Sequence, residues 1–229
     1  MPRLIRVAHS TLSALAALAA LVAAPAAQAL IVYSGTVNLA IPNTAAGLYV
    51  NVINGTTYSG PDTFPALPGP GANYDFNVFG SATWSLFSPG LAGQSAPVLP
   101  VTSLGYVAAT AAGAASALSF GTLISNASVF NTGTPSGSAL TTGAPAIFGF
   151  RFRNEGSDLS SATDDTVHFG WARVVLTAGV PGTLVDYAFE STPLLGIQAG
   201  VVPEPGSWAL MAGGLLGVAC WLRRRNRAA

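Results

Sequence analysis

The stretch Ile147-Phe148-Gly149-Phe150-Arg151-Phe152-Arg153 decides the fold. Three phenylalanines fall on alternate positions, with Gly149, Arg151 and Arg153 between them. A period of two belongs to a β-strand, whose successive side chains point to opposite faces. The pattern predicts one face buried and the other in water. Residues 166–177 repeat the pattern: Val167, Phe169, Trp171 and Val175 share a face, and Arg173 interrupts it where that face is expected to reach solvent. After the turn Gly179-Val180-Pro181-Gly182, a third strand is expected over 182–190. Three such strands in succession predict an antiparallel meander.

Working outward, 30–40 and 47–53 are rich in Val, Ile, Leu and Tyr, and Asn54-Gly55 is a hairpin-type turn. Prolines and glycines make 57–73 a loop. Short strands are expected over 74–79 and 83–87. The alanine-rich stretch 107–117 favours a short helix or an irregular segment, since Thr110 and Gly113 weaken it, and 125–144 reads as a loop. Several short strands punctuated by Gly and Pro point to an all-β fold, an antiparallel β-sandwich or jelly-roll-like domain.

The two ends carry a different message. Arg3 and Arg6 precede an apolar run over 11–24, and Ala27-Gln28-Ala29 has the small-residue pattern of a cleavage site. Residues 1–29 therefore read as a secretory signal peptide, cut after Ala29. At the other end stand Pro203-Glu204-Pro205, a charge-free apolar stretch over 208–222, and the cluster Arg223, Arg224, Arg225 and Arg227. The stretch makes a helix of roughly 23 Å, short for a hydrocarbon core of about 30 Å, so it spans only with anchoring or thinning at its edges. A single transmembrane helix over about 207–222 is expected, with the arginines in the cytoplasm by the positive-inside rule. The domain organisation is thus a signal peptide at 1–29, an exported β-rich domain at 30–202 and a C-terminal signal at 203–227.

That C-terminal order, a Pro-Glu-Pro motif, a short apolar helix and an arginine-rich end, resembles the PEP-CTERM sorting signal of Gram-negative bacteria. The resemblance implies recognition and processing by exosortase, a membrane protease-transpeptidase, with Pro203, Glu204 and Pro205 as the motif. Two prolines keep such a segment extended, presenting its backbone at the membrane surface. A second likeness lies in Phe148-Gly149-Phe150-Arg151-Phe152, Phe169-Gly170-Trp171-Ala172-Arg173-Val174 and Asp186-Tyr187-Ala188-Phe189-Glu190, which is similar to a module recurring in PEP-CTERM proteins. It implies export and a β-fold rather than a reaction. The family implies an inner-membrane precursor, then a protein on the outer surface or outside the cell. Its processing partners would be signal peptidase and exosortase, and an association with exopolysaccharide and biofilm matrix is implied.

Composition narrows the chemistry. Every basic residue is Arg, and charged residues make up 8% of the chain, against roughly 25% in an average soluble domain. Between residues 30 and 202 lie Arg151, Arg153 and Arg173 against eight acids (Asp62, Asp75, Glu155, Asp158, Asp164, Asp165, Asp186 and Glu190), a net charge near −5. A nucleic-acid partner is excluded, since phosphate contacts need clustered cations. The one cysteine, Cys220, lies in the apolar C-terminal stretch, so the exported part has no disulfide.

His168 is the one histidine of that part, too few for a His-based metal site, and it is expected to be packed or half-exposed. Asp186 and Glu190 would share a strand face about 13 Å apart, wider than the pairs used in most glycoside hydrolysis. A solvated face or a contact to Arg151 or Arg173 is expected instead. Glu155, Asp158, Asp164 and Asp165 cluster between two strands; oxygen-rich loops bind calcium, but EF-hand spacing is absent and a solvated loop is the expected role. Trp84, Tyr33, Tyr49, Tyr58 and Tyr74 could stack on sugars, although aromatics usually serve the core. No cofactor and no catalytic residue is expected. The leading expectation is an exported, non-enzymatic envelope or matrix protein; a lectin-like module is the alternative, and a glycoside hydrolase follows.

Overall fold

The computed structural model describes residues 30–59, 74–80, 82–88, 105–110, 112–131, 133–154 and 165–202. The expected signal peptide with Ala27 and Ala29, the Pro203-Glu204-Pro205 motif, the apolar stretch after it, Arg223, Arg224, Arg225 and Arg227, and Glu155, Asp158 and Asp164 lie outside them. The fold is all-β and antiparallel. In chain order the strands are β1 Ile31–Tyr33, β2 Leu39–Ile41, β3 Leu48–Val50, β4 Thr57–Tyr58, β5 Phe76–Gly80, β6 Trp84–Phe87, β7 Gly105–Val107, β8 Leu123–Ile124, β9 Phe130–Asn131, β10 Pro145–Asn154, β11 Thr166–Val175, β12 Gly182–Glu190 and β13 Ile197–Gln198.

The meander is present: β10, β11 and β12 are successive antiparallel neighbours. They centre a seven-stranded sheet in the order β1-β12-β11-β10-β7-β9, with β2 also paired to β12. The apolar stretch 30–40 forms two strands, β1 and β2, both on the free edge of β12. Between them the backbone turns left-handed at Gly35 (φ 71) and Asn38 (φ 48), conformations that a continuous strand cannot hold. A bulge in the β11–β12 register between Arg173 and Val174 re-aims β12 on its way past this edge. A second sheet has the order β4-β3-β5-β6. Its β3–β4 hairpin turns at Asn54-Gly55 as expected, closed by the Asn51 N–H to the Thr56 carbonyl at 2.9 Å.

The two large sheets share a core. Phe148, Phe150 and Phe152 of β10, with Ala172, Val174, Leu184 and Phe189, meet Leu48, Val50, Phe76, Val78, Trp84 and Leu86 of the second sheet. The Phe76 ring stands edge-on to Phe148 at 5.6 Å and lies 5.0 Å from Phe150, within the range of favourable aromatic pairs. Hydrogen bonds tie the sheets: the Trp84 indole donates to the Thr177 carbonyl at 2.9 Å, and the buried Tyr106 hydroxyl to the Phe87 carbonyl.

The long sheet is covered on its other face too. Ile124 and Ile197, from the two-stranded β8–β13 pair, join Phe130, Phe169, Trp171 and Ala188 in a second cluster. This corrects the expectation that Arg151 and Arg153 face water: both are 8% exposed. Burial is tolerated because each cation has a partner, Arg151 above the Phe130 ring (4.2 Å from guanidinium carbon to centroid) and Arg153 with Asp165 (3.4 Å). Gly149 leaves room for this cover, since a β-carbon there would lie 2.8 Å from Ile124 Cδ1 and from Val107 Cγ2.

The alanine-rich stretch is not helical. Its first residue joins β7, and Ala108 bridges to Ala115 across a turn that brings Thr110 and Gly113 together. Thr110 and Gly113 form that turn, with the Gly113 N–H bonded to the Thr110 carbonyl. The expected loop 125–144 contains β9 and a 3-10 turn at Ser138–Leu140 that buries Leu140. Among the described residues, no helix is long and apolar enough to cross a membrane.

Candidate functional site

Three places bear on function. The first is the outer edge of β12. Asp186, 3% exposed, lies opposite Arg173 on β11, with its Oδ1 3.3 Å from Arg173 Nε. Its Oδ2 accepts a 2.9 Å hydrogen bond from the Tyr33 hydroxyl of β1. The Arg173 guanidinium stands 5.7 Å from the Trp171 ring centroid, and the Tyr33 ring lies 6.3 Å from that ring. Burial, and then the Asp186 carboxylate, raise the Tyr33 phenol above its usual 10. A carboxylate held by a guanidinium and a phenol is a neutralised structural cluster. Of the contacts expected for Asp186, to Arg151 or Arg173, the structure makes the one to Arg173; Tyr33, not expected here, reaches the cluster because β1 returns to β12. Glu190, fully buried, caps the chain beyond β12 by accepting the Thr192 N–H at 2.8 Å.

His168 is packed, not half-exposed, with 3% of its surface accessible. Its ring stacks on Phe152 at 5.6 Å and stands perpendicular to Phe189. Nδ1 lies 2.8 Å from the Glu190 carbonyl oxygen, which can only accept, so Nδ1 carries the proton and Nε2 accepts from the Thr166 hydroxyl at 2.8 Å. Burial lowers its pKa below 6.5. Both nitrogens are occupied by structural bonds.

The second place is the outer face of the four-stranded sheet. Leu48 and Val50 point into the core, so Tyr49 between them points away from it. Tyr49 pairs in register with Tyr58 (ring centroids 6.1 Å apart) and stands edge-on to Tyr74 at 4.8 Å; Tyr74 in turn lies 6.4 Å from Phe87. Tyr58 is 41% exposed, whereas Tyr74 is buried, which pushes its phenol far above the usual value. Of the aromatics considered for sugar stacking, Trp84 is therefore unavailable: it is fully buried and its N–H is bonded. Tyr33 is engaged by Asp186, and Tyr58 remains at the surface beside Tyr49. For the acidic loop, Asp165 is held by Arg153, and the described residues contain no group of three His, Cys, Asp or Glu side chains fit for a metal ion.

The third place is where the folded part hands over to the C-terminal segment. After β13, the Ala199 N–H bonds to the Thr122 carbonyl and the Gly121 N–H to the Ala199 carbonyl, both at 2.9 Å. Val202 packs against the second hydrophobic cluster. The chain is thus anchored up to the residue before Pro203.

No curated protein and no solved structure shows significant similarity to this chain. One family model does match, that of the PEP-CTERM protein-sorting motif, over residues 201–225. The match begins where the β-fold ends and takes in Pro203, Glu204, Pro205 and the first three of the clustered arginines. The chain therefore carries a PEP-CTERM protein-sorting motif at 201–225, which marks an exported, cell-surface-directed protein of the kind sorted by exosortase.

Proposed function

We propose that this protein is a non-enzymatic component of the cell envelope or extracellular matrix, a β-sandwich carried outward and released or attached at the surface. Signal peptidase cuts after Ala29, and a helix over about 207–222 holds the precursor in the inner membrane. Exosortase then processes it at Pro203-Glu204-Pro205, and the domain takes its place beside exopolysaccharide. The observation that carries this reading is the motif match starting at residue 201, just past the last strand, β13, of a β-domain whose last described residue, Val202, is packed down. The shared core of Phe76, Phe148 and Phe150 supports the sandwich. Structural use of His168, Asp186 and Asp165 favours a role without catalysis.

The test is to replace Pro203, Glu204 and Pro205 with alanine. The full-length form should accumulate in the inner membrane, and mass spectrometry of the wild-type protein should find a C-terminus short of the arginine cluster. An unchanged distribution between fractions defeats the sorting step.

A carbohydrate-binding role is favoured by one observation, the Tyr49–Tyr58 pair at the surface of the second sheet. Stacking of sugar faces on such rings is a common basis of recognition. Glycan-array binding that Tyr58→Ala abolishes would establish it; binding indifferent to Tyr58 would remove it.

A further inference from the structure

The β8–β13 surface carries apolar side chains that the fold does not use. Phe120 is 74% exposed and Leu123 58% exposed. Leu195, 41% exposed, precedes Gly196, where an added β-carbon would lie 3.0 Å from Leu123 Cδ1. The Phe120 ring lies beside Gly200, where an added β-carbon would meet its Cδ2 at 3.0 Å. These side chains flank 196–200, the stretch that leads into the sorting motif. Isolated exposed apolar residues are ordinary, but a phenylalanine three-quarters in water next to the exit of the chain is not isolated.

Charge does not oppose contact there: although the exported part is acidic overall, 119–129 and 191–202 contain no Asp, Glu, Lys or Arg, as is true of all of 76–150. An acidic domain is repelled by an anionic lipid surface; an uncharged face can approach one, and exposed Phe and Leu gain by entering its headgroup region.

The tether fixes the distance. Five residues separate Val202 from Trp208, the first residue of the apolar stretch. Fully extended, they reach about 20 Å. With Val202 packed on the domain, the surface around Gly200 stays within that reach of the bilayer.

We propose that the Phe120, Leu123 and Leu195 surface docks onto the outer leaflet of the membrane that holds the precursor, so that the domain sits on the lipid with β8–β13 downward. This rests on the reading of 207–222 as a membrane span. Docking would hold Pro203-Glu204-Pro205 close to the headgroups, within reach of a membrane-embedded processing enzyme, and release from the span would free the same face.

The test uses the full chain in vesicles of phosphatidylethanolamine and phosphatidylglycerol, with nitroxide labels read by their relative accessibility to oxygen and to a water-soluble nickel chelate. The native Cys220 reports the span. In a Cys220→Ser background, Phe120→Cys and Leu123→Cys report the docking face, and Ile53→Cys reports the second sheet, on the other side of the core. Both docking positions and Ile53 are exposed, so these changes leave the fold intact. The expected result is lipid-type accessibility, several-fold in favour of oxygen, at 220, 120 and 123, with an aqueous signal at 53. Lipid exposure at 220 with aqueous signals at 120 and 123 overturns the docking and leaves the span standing. An aqueous signal at 220 removes the span and the docking with it. Spin–spin broadening at 120 without oxygen access would identify a second copy of the chain as the occupant and likewise overturn the proposal.

Discussion

Tyr33 and Asp186 stand 153 residues apart in sequence, yet the phenol of one donates a 2.9 Å hydrogen bond to the carboxylate of the other. The bond fastens β1 to β12 at a carboxylate that Arg173 also neutralises. Asp186→Ala leaves the guanidinium and the phenol without their acceptor. Because Arg173 is about a third exposed, water takes up part of that cost, and a loss of about 2 kcal/mol is expected. Tyr33→Phe should cost about 1 kcal/mol. Urea denaturation of both variants and of the double variant checks the coupling; strict additivity would mean that the two residues act separately.

His168 gives the protein a pH dependence of predictable sign. Its folded pKa lies below the unfolded value of 6.5, because burial disfavours the imidazolium. As pH falls through 6.5, the unfolded chain takes up a proton that the folded chain does not. Stability is therefore full above about 6.5 and declines until the lower folded pKa is reached, where the loss levels off. Protonation of Nε2 also turns an acceptor of the Thr166 hydroxyl into a donor. His168→Gln should remove this part of the slope in the unfolding free energy between pH 7 and 5. An identical slope in wild type and variant would assign it to the carboxylates.

Gly170 pairs with Phe150 across β10 and β11, and a β-carbon there would sit 2.5 Å from the Phe150 ring and 2.9 Å from the Ala188 carbonyl oxygen. Gly170→Ala should destabilise by about 1–3 kcal/mol, the usual cost of overpacking, despite the better strand propensity of alanine. A thermal midpoint equal to wild type would show that the ring yields freely.

Trp84 joins the two sheets through a bond no phenylalanine can make. Trp84→Phe leaves the Thr177 carbonyl without this donor and a small void behind it, so a loss of about 2 kcal/mol is expected. Calorimetric unfolding measures it, and a change below a few tenths would place the tie between the sheets elsewhere, at Tyr106 and Phe87.

Much of this was legible in the sequence where the pattern was long. Strands β10, β11 and β12 announce themselves because they are nine or ten residues long, with alternating phenylalanines in the first and turn residues between them, and the Asn54-Gly55 turn announces itself because few residue pairs take its conformation. The second cover of the long sheet was not legible. Arginines on alternate positions look like a wet face, and only the long-range approach of Phe130 and Ile124 makes that face dry. The two-residue strands β8, β9 and β13 carry no period that a sequence could display. Alanine misled at 107–117, since the turn at Thr110 and Gly113 outweighs a helix propensity worth only tenths of a kcal/mol per residue. At the candidate sites, a contact from Asp186 or Glu190 to Arg151 or Arg173 could be expected from the sequence, but the particular pair, Arg173 with Asp186, and the part of Tyr33 depended on register and on a loop returning to a distant edge.

That return has a consequence for timing. The strand that pairs with β1 is among the last to be made, so the edge of the sheet cannot close until residue 190 has joined the rest of the polypeptide. Contacts spanning so much chain form slowly, because a large loop must be closed before anything is gained. The first strand of the fold thus stays unpaired along its β12 side until the third strand of the meander is in place, and the sheet edge is a late step of folding.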